Sequence, residues 1–169
     1  MLTTLGKRSV ESPSMRDRLT DCHARIRKFC ALAKRLSEGG PADHTREAAA
    51  DLHRYFSIAL PLHVRDEDES VRPRLERLAD PSLSAALETM SAEHVTAEVA
   101  LDELLAEWSA IAQAPSEARC LQTRTAALWF DTYMHRHLEA EELRIFPALD
   151  ALPRGQWDAI VAEMQARRR

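Results

Sequence analysis

The sequence predicts an all-α protein: an antiparallel up-down-up-down four-helix bundle with a short fifth C-terminal helix. Three observations predict it. Only four glycines occur in 169 residues, while Ala, Leu, Glu and Arg abound and β-branched runs are few, a composition that favours helix over strand. Apolar residues recur at three- and four-residue spacings along four long stretches, the period of a helix with one buried stripe. Short breaks containing Gly, Pro, Asp or Ser separate the stretches, and long helices joined by short connections run antiparallel to their neighbours. A chain of this length forms one domain, expected over residues 14–169 after a loose polar tail at 1–13.

The first helix is expected from near Ser14 to Ser37, with Leu19, His23, Ile26, Cys30 and Ala33 on one stripe, and Glu38-Gly39-Gly40-Pro41 ends it. The second starts near Asp43 and turns Leu52, Phe56, Ala59, His63 and Glu67 inwards. Pro61 lies inside it and removes a backbone donor, so a kink close to His63 follows. Arg72 to Ala79 forms a short extension. Asp80-Pro81 pairs an N-cap acid with proline at the first helical position. The third helix then runs to about Gln113, its stripe reading Leu87, Met90, His94, Glu98 (or Ala97), Leu101, Leu105 and Trp108. Ala114-Pro115-Ser116 leads into a fourth helix ending near Phe146, with Phe130, Met134, His137, Glu141 and Ile145 inside. A fifth, short amphipathic segment follows Pro153.

Composition limits the function. A net charge of −4 gives no overall attraction to nucleic acid or anionic membrane. The basic ends (Lys7 and Arg8, then Arg167, Arg168 and Arg169) read as solvated tails. No apolar run approaches the length of a membrane span, and Met1–Val10 lacks the apolar core of a signal peptide. Cys22, Cys30 and Cys120 are odd in number and far apart, which suits reduced thiols in the cytoplasm.

One pattern carries chemistry. His63-Val-Arg-Asp-Glu67 leads to Pro73 and Leu75, and His137-Leu-Glu-Ala-Glu141 leads to Pro147 and Leu149, so glutamate, proline and leucine follow each histidine at the same distances. Residues i and i+4 of a helix share a face, so each copy presents an imidazole and a carboxylate together. The chain also divides into two similar hairpins: His23 precedes His63 by 40 residues, and His94 precedes His137 by 43. Each hairpin has a lone inner histidine on its first helix and a His/Glu pair on its second.

An inward histidine taken singly is ordinarily a core residue. The set says more. Seven histidines and sixteen glutamates give four His-x-x-x-Glu pairs, more than chance supplies: His63/Glu67, His94/Glu98, His135/Glu139 and His137/Glu141. His135/Glu139 shares a stripe with Thr132 and Glu142 and reads as a solvated pair. The other three lie on apolar stripes, where uncompensated carboxylates cost several kcal/mol each. Their stripe neighbours are Leu, Phe, Met and Ala, which cannot neutralise them, whereas a pair of cations can. Imidazole and carboxylate donors without cysteine suit iron, manganese or zinc, and carboxylates shared between two ions in a bundle suggest iron or manganese. Cys22 points about 100° round the helix from His23 and is read as packing. No glutamate stands three residues before any histidine, so ferritin-type Glu-x-x-His wiring is disfavoured.

With these residues in view, the chain resembles hemerythrin-like proteins of the HHE cation-binding family. The resemblance rests on His23, His63-Val-Arg-Asp-Glu67 with Pro73-Arg-Leu75, Glu93-His94, and His137-Leu-Glu-Ala-Glu141-Glu-Leu-Arg-Ile-Phe-Pro147, and covers roughly residues 15–150. It implies a non-haem di-iron centre between four helices, with Glu67 and Glu141 bridging and His23, His63, His94 and His137 as terminal ligands. Oxygen carriers of that family place a histidine four residues after the one matching His94, where this chain has Glu98. They also tend to end with an acid five residues after the last histidine. Glu142 stands there, but the internal repeat favours Glu141. As a ligand, Glu98 would add negative charge and oppose reversible dioxygen binding; otherwise it leaves an open or water-filled position. His44 and His53 could reach a vacant place only if the second helix started differently.

The expected function is therefore a di-iron protein that binds or senses dioxygen or a related small oxidant. The alternatives are an enzyme acting on peroxide, dioxygen or nitrosative damage, an iron-handling protein, or a helical interaction module with an incidental polar core. The expected ligand set is His23, His63, Glu67, His94, Glu98, His137 and Glu141.

Overall fold

The computed structural model describes residues 14–169, which are helical throughout apart from short connections and contain no strand. The tail expected at 1–13, with Lys7 and Arg8, lies outside the described residues. Helix α1 (Met15–Leu36) opens with a capping box: Ser14 Oγ accepts from the Asp17 amide at 3.1 Å and the Asp17 carboxylate from the Ser14 amide at 2.9 Å. It closes before Gly39, whose φ of 84° suits glycine.

The second rod is a composite. It consists of α2 (Ala42–Arg54), a π-helical stretch (Tyr55–Ala59), α3 (Leu60–Arg65), a second π stretch (Asp66–Val71), α4 (Arg72–Leu75) and a 3₁₀ turn (Glu76–Leu78). Each π stretch lies just ahead of a proline, Pro61 and Pro73. Proline offers no N–H and its ring presses on the preceding turn, and the widened turn takes up that crowding. The kink expected near His63 is thus realised as a change of helical pitch. It shifts the buried register from Ala59, which is half-buried, to Leu60.

Helix α5 (Pro81–Gln113) is capped by Asp80, whose side chain accepts from the amides of Ser82 (2.8 Å) and Leu83 (3.1 Å). The fourth rod departs from expectation at its start. A short α6 (Glu117–Gln122) is separated from α7 (Arg124–Arg144) at Thr123, whose buried hydroxyl donates to the Cys120 carbonyl at 2.8 Å. Such a local side-chain bond competes with helix continuation. α8 (Phe146–Leu149) and α9 (Arg154–Ala166) complete the chain.

Among the rods, α1 packs on α2 and α7, and α5 packs on the same two. The core is divided in two. One apolar cluster joins Ile26–Leu36 side chains to Leu52, Phe56 and Leu60, to Ala97, Leu101 and Trp108, and to Phe130 and Met134. The other joins Met15 and Leu19 to Val71 and Leu75, to Leu87 and Met90, and to Ile145, Leu149 and Ile160. On every rod the passage from one cluster to the other falls at or within a turn of a histidine. His23 lies between Leu19 and Ile26, His63 and Glu67 between Leu60 and Val71, His94 between Met90 and Ala97, and His137 and Glu141 between Met134 and Ile145.

Two expectations are corrected. The buried stripe of α5 is Leu83, Leu87, Met90, His94, Ala97, Leu101, Leu104, Trp108 and Ile111. From Leu87 onwards its steps alternate three and four, so Ala97 and Leu104 are buried and Glu98 is exposed. The C-terminal arginines are not all solvated: Arg167 and Arg168 pair with the fully buried Asp66. No helix among the described residues is long and apolar enough to cross a membrane. Replacing Asp80 by alanine leaves two first-turn amides of α5 without their partner and is expected to lower unfolding free energy by about 1 kcal/mol. Urea titration of the variant against the parent checks this.

Candidate metal centre

The layer between the two clusters consists of His23, His63, Glu67, His94, His137 and Glu141, all at most 6 % exposed. α1 supplies His23, the composite rod His63 and Glu67, α5 His94, and α7 His137 and Glu141. The imidazole Nε2 atoms all turn to the carboxylates. His23 Nε2 lies 3.2 Å from Glu141 Oε2 and 3.7 Å from Glu67 Oε1, and His63 Nε2 lies 3.3 Å from Glu67 Oε2. His94 Nε2 lies 3.3 Å from Glu67 Oε2 and 3.5 Å from Glu141 Oε1, and His137 Nε2 lies 3.0 Å from Glu141 Oε1. Each carboxylate thus faces histidines on both sides. Among the described residues, two groups have donor atoms within 4.8 Å of one another: His23, His63, Glu67 and Glu141, and then His94, His137 and Glu141. Glu141 belongs to both.

Six of the seven side chains expected as ligands are therefore together. Glu98 is exposed and belongs to neither group, because the alternating stripe of α5 turns Ala97 inwards in its place. His44 is exposed and His53 half-buried, away from the layer. His135 is about half exposed, as expected, but its Nδ1 donates to the Asp131 carbonyl at 2.8 Å instead of pairing with Glu139.

A second ring of acids was less visible in the sequence. His23 Nδ1 donates to Glu142 at 2.9 Å, His94 Nδ1 to Asp68 at 3.0 Å and His137 Nδ1 to Glu93 at 2.8 Å. A carboxylate can only accept, so each contact fixes the proton on Nδ1 and leaves the Nε2 lone pair for the centre. Arg27 in turn holds Glu142 through two bonds of 2.8 and 3.0 Å, and Ser91 donates to Asp68. Two of these acids, Asp68 and Glu142, directly follow Glu67 and Glu141, and Glu93 directly precedes His94. Adjacency to the inner residues was the available signal, but Glu142, Asp68 and Glu93 all serve histidines on other rods, which only the fold reveals. At His63 the outer nitrogen has no carboxylate. Burial would raise the Cys22 thiol, but His63 and Arg25 outweigh it and hold the thiol below its usual range. Cys22, expected to pack, is half-buried and its sulfur accepts from Arg25 at 3.3 Å.

The inner donors do not satisfy one another. Both oxygens of Glu67 and of Glu141, and Nε2 of His23, His63 and His94, are buried without a hydrogen-bond partner among the described residues. Such groups each cost about 1–3 kcal/mol when left unmatched, and so many at one point fit a cation better than a self-contained polar network. Protons balance the charge in the metal-free chain. Burial works against a charged His23, but Glu141 and Glu67 outweigh it and raise the imidazole to about 10. Burial likewise opposes charge on His94, which Asp68, Glu141 and Glu67 raise to about 12, and on His137, which Glu141 and Glu93 raise. The same contacts hold Glu67 and Glu141 below the ordinary carboxylate range against burial.

Residues 14–149 match the family described as the hemerythrin HHE cation binding domain, a match over most of the chain. No curated protein matches it.

The raised imidazoles set a pH dependence. Their pairing with the carboxylates stabilises the metal-free fold fully below the ordinary histidine value of 6.5, and that contribution is withdrawn as pH rises through about 10. The depressed carboxylates contribute above their ordinary value of 4.5 and lose that contribution as pH falls through their lowered values. Chelator-treated protein is therefore expected to melt at progressively lower temperature from neutral pH upwards. Thermal melts at stepped pH check this, and a profile flat across that range contradicts it.

Proposed function

The chain belongs to the hemerythrin HHE cation-binding family, and on that premise we propose that its buried layer holds two iron ions and that the protein binds or senses dioxygen or a related small oxidant. One observation carries the reading: the concentration of unpartnered imidazole nitrogens and carboxylate oxygens around Glu67 and Glu141. Glu67 and Glu141 would be shared by both ions, with His23 and His63 holding one and His94 and His137 the other. The first group has two histidines and two carboxylates, the second two histidines and Glu141, to which Glu67 adds an oxygen 3.3 Å from His94 Nε2. Nitrogen and oxygen donors of this kind also accept manganese or zinc, but two carboxylate bridges in a helical core favour iron or manganese. Iron would supply reversible one-electron chemistry at the centre.

The rods take the antiparallel up-down-up-down course in this reading. In support, the order of the two apolar clusters along the chain reverses at each rod: second then first on α1, first then second on the composite rod, second then first on α5, first then second on α7. The three free thiols are consistent with a reducing compartment such as the cytoplasm.

A cavity of about 250 Å³ supports access by a small ligand. His63, His94 and His137 form part of its lining, Leu60, Ala97, Leu101 and Met134 give it apolar walls, and Glu98 and Arg65, both exposed, mark where it opens. Glu98 is thus a residue of the entrance in place of a ligand. The cavity has room for more than one water molecule, which needs about 10–15 Å³ of such space, and that room favours a second reading, an enzyme acting on peroxide.

Protein produced anaerobically with ample iron is expected to carry two irons per chain. Glu67→Ala or Glu141→Ala should lose the pair, while Glu98→Ala should keep both. Metal analysis of the three variants checks the assignment, and full retention in either bridging variant overturns it. Spectra that change reversibly on cycling dioxygen support binding; irreversible oxidation with peroxide turnover supports the enzyme.

A further inference from the structure

The C-terminal helix lies beyond the residues that match the family, yet it packs on the π stretch that carries Glu67. The contacts are ionic and specific. Arg167 Nη1 donates to Asp66 Oδ1 at 2.8 Å, its Nη2 to Ser70 Oγ at 2.7 Å and its Nε to Glu69 at 3.1 Å. Arg168 Nη2 donates to the other Asp66 oxygen at 2.5 Å. Asp66 is fully buried, and these two guanidinium groups hold both of its oxygens.

Asp66 and Glu67 are consecutive in the π stretch, so their side chains leave the rod in different directions. One faces the arginines while the other faces the histidines. If the arginines are removed, both Asp66 oxygens lose their donors and the buried carboxylate is drawn towards water. Turning the stretch to expose Asp66 would swing Glu67 out of the layer. The wider π turn is already a departure from regular α-helical pitch, which makes an external restraint on it consequential.

We infer that Arg167 and Arg168 are positioning residues for the cation centre, holding Glu67 in place by neutralising Asp66. This rests on the reading of Glu67 as a ligand. It assigns a role in the centre to a segment that family membership leaves without one.

The test uses the full chain, loaded with iron anaerobically, and compares Arg167→Ala/Arg168→Ala, Arg167→Lys/Arg168→Lys and the single Arg168→Ala with the parent. Two readouts are taken: the rate of iron loss to a ferrous chelator, and the absorption spectrum after oxidation. The double alanine variant is expected to lose iron at least tenfold faster with a changed spectrum, and the double lysine variant to recover much of the difference. If the double alanine variant does not fold, Arg168→Ala, whose side chain is 37 % exposed, carries the same expectation in weaker form. Adding Asp66→Asn to the alanine variant should slow the loss again, because no buried charge then needs compensation. Variants that melt at lower temperature when metal-free, yet keep parental spectrum and iron release, would reduce the arginines to ordinary packing and overturn the inference. A parent that takes up no iron would overturn both this inference and the metal reading; a loaded parent with unmoved variants would overturn this one alone.

Discussion

Four imidazoles and two carboxylates share one layer, sealed above and below by apolar clusters. Everything else in the molecule answers to the cost of that arrangement. Each of these groups would be better solvated in water, and the inner oxygens have no hydrogen-bond donor among the described residues to compensate them. Two balances are open to the chain: protons on the histidines, or cations between them and the glutamates. The outer carboxylates suit both. Glu142, Asp68 and Glu93 can stabilise an imidazolium, and they can equally orient a neutral ring with its Nε2 lone pair inwards. A cation entering the layer displaces protons, so metal affinity and pH are linked.

Placing six side chains from four rods at one level requires control of register, and proline supplies it on the composite rod. Pro61 and Pro73 each follow a π stretch, and between them sit His63 and Glu67. The widened turns bring both members of the pair to the layer while the rod's ends remain packed in the two clusters. On α5 the three-four alternation does the same by purely apolar means, directing His94 inwards and Glu98 outwards. The centre is thus held by packing on three rods and, on the composite rod, by the ionic grip of the C-terminal arginines on Asp66 as well.

Much of this could be read from the residues. The helical stripes located four rods and the fifth helix, because the period of apolar residues is a local signal. The repeated His-x-x-x-Glu-to-proline pattern singled out His63, Glu67, His137 and Glu141, and the hairpin spacing added His23 and His94. What escaped was non-local. Glu98 stood on the boundary of a stripe where a step of three or four is equally good in one turn, and only the alternation over the whole helix decides between Ala97 and Glu98. Asp66, sitting beside an inward glutamate, gave no sign of being buried, since its partners lie about a hundred residues later at Arg167 and Arg168. The break at Thr123 depends on a single hydroxyl bond that competes with the helix.

In the proposed centre, two cations share Glu67 and Glu141. Anomalous scattering at the iron absorption edge from crystals of iron-loaded protein tests this most directly. Two peaks inside the layer, each bounded by a pair of the four histidines and both touching the two glutamates, are the predicted result. A single peak, peaks confined to the surface, or an unoccupied layer in protein grown with excess iron would contradict it.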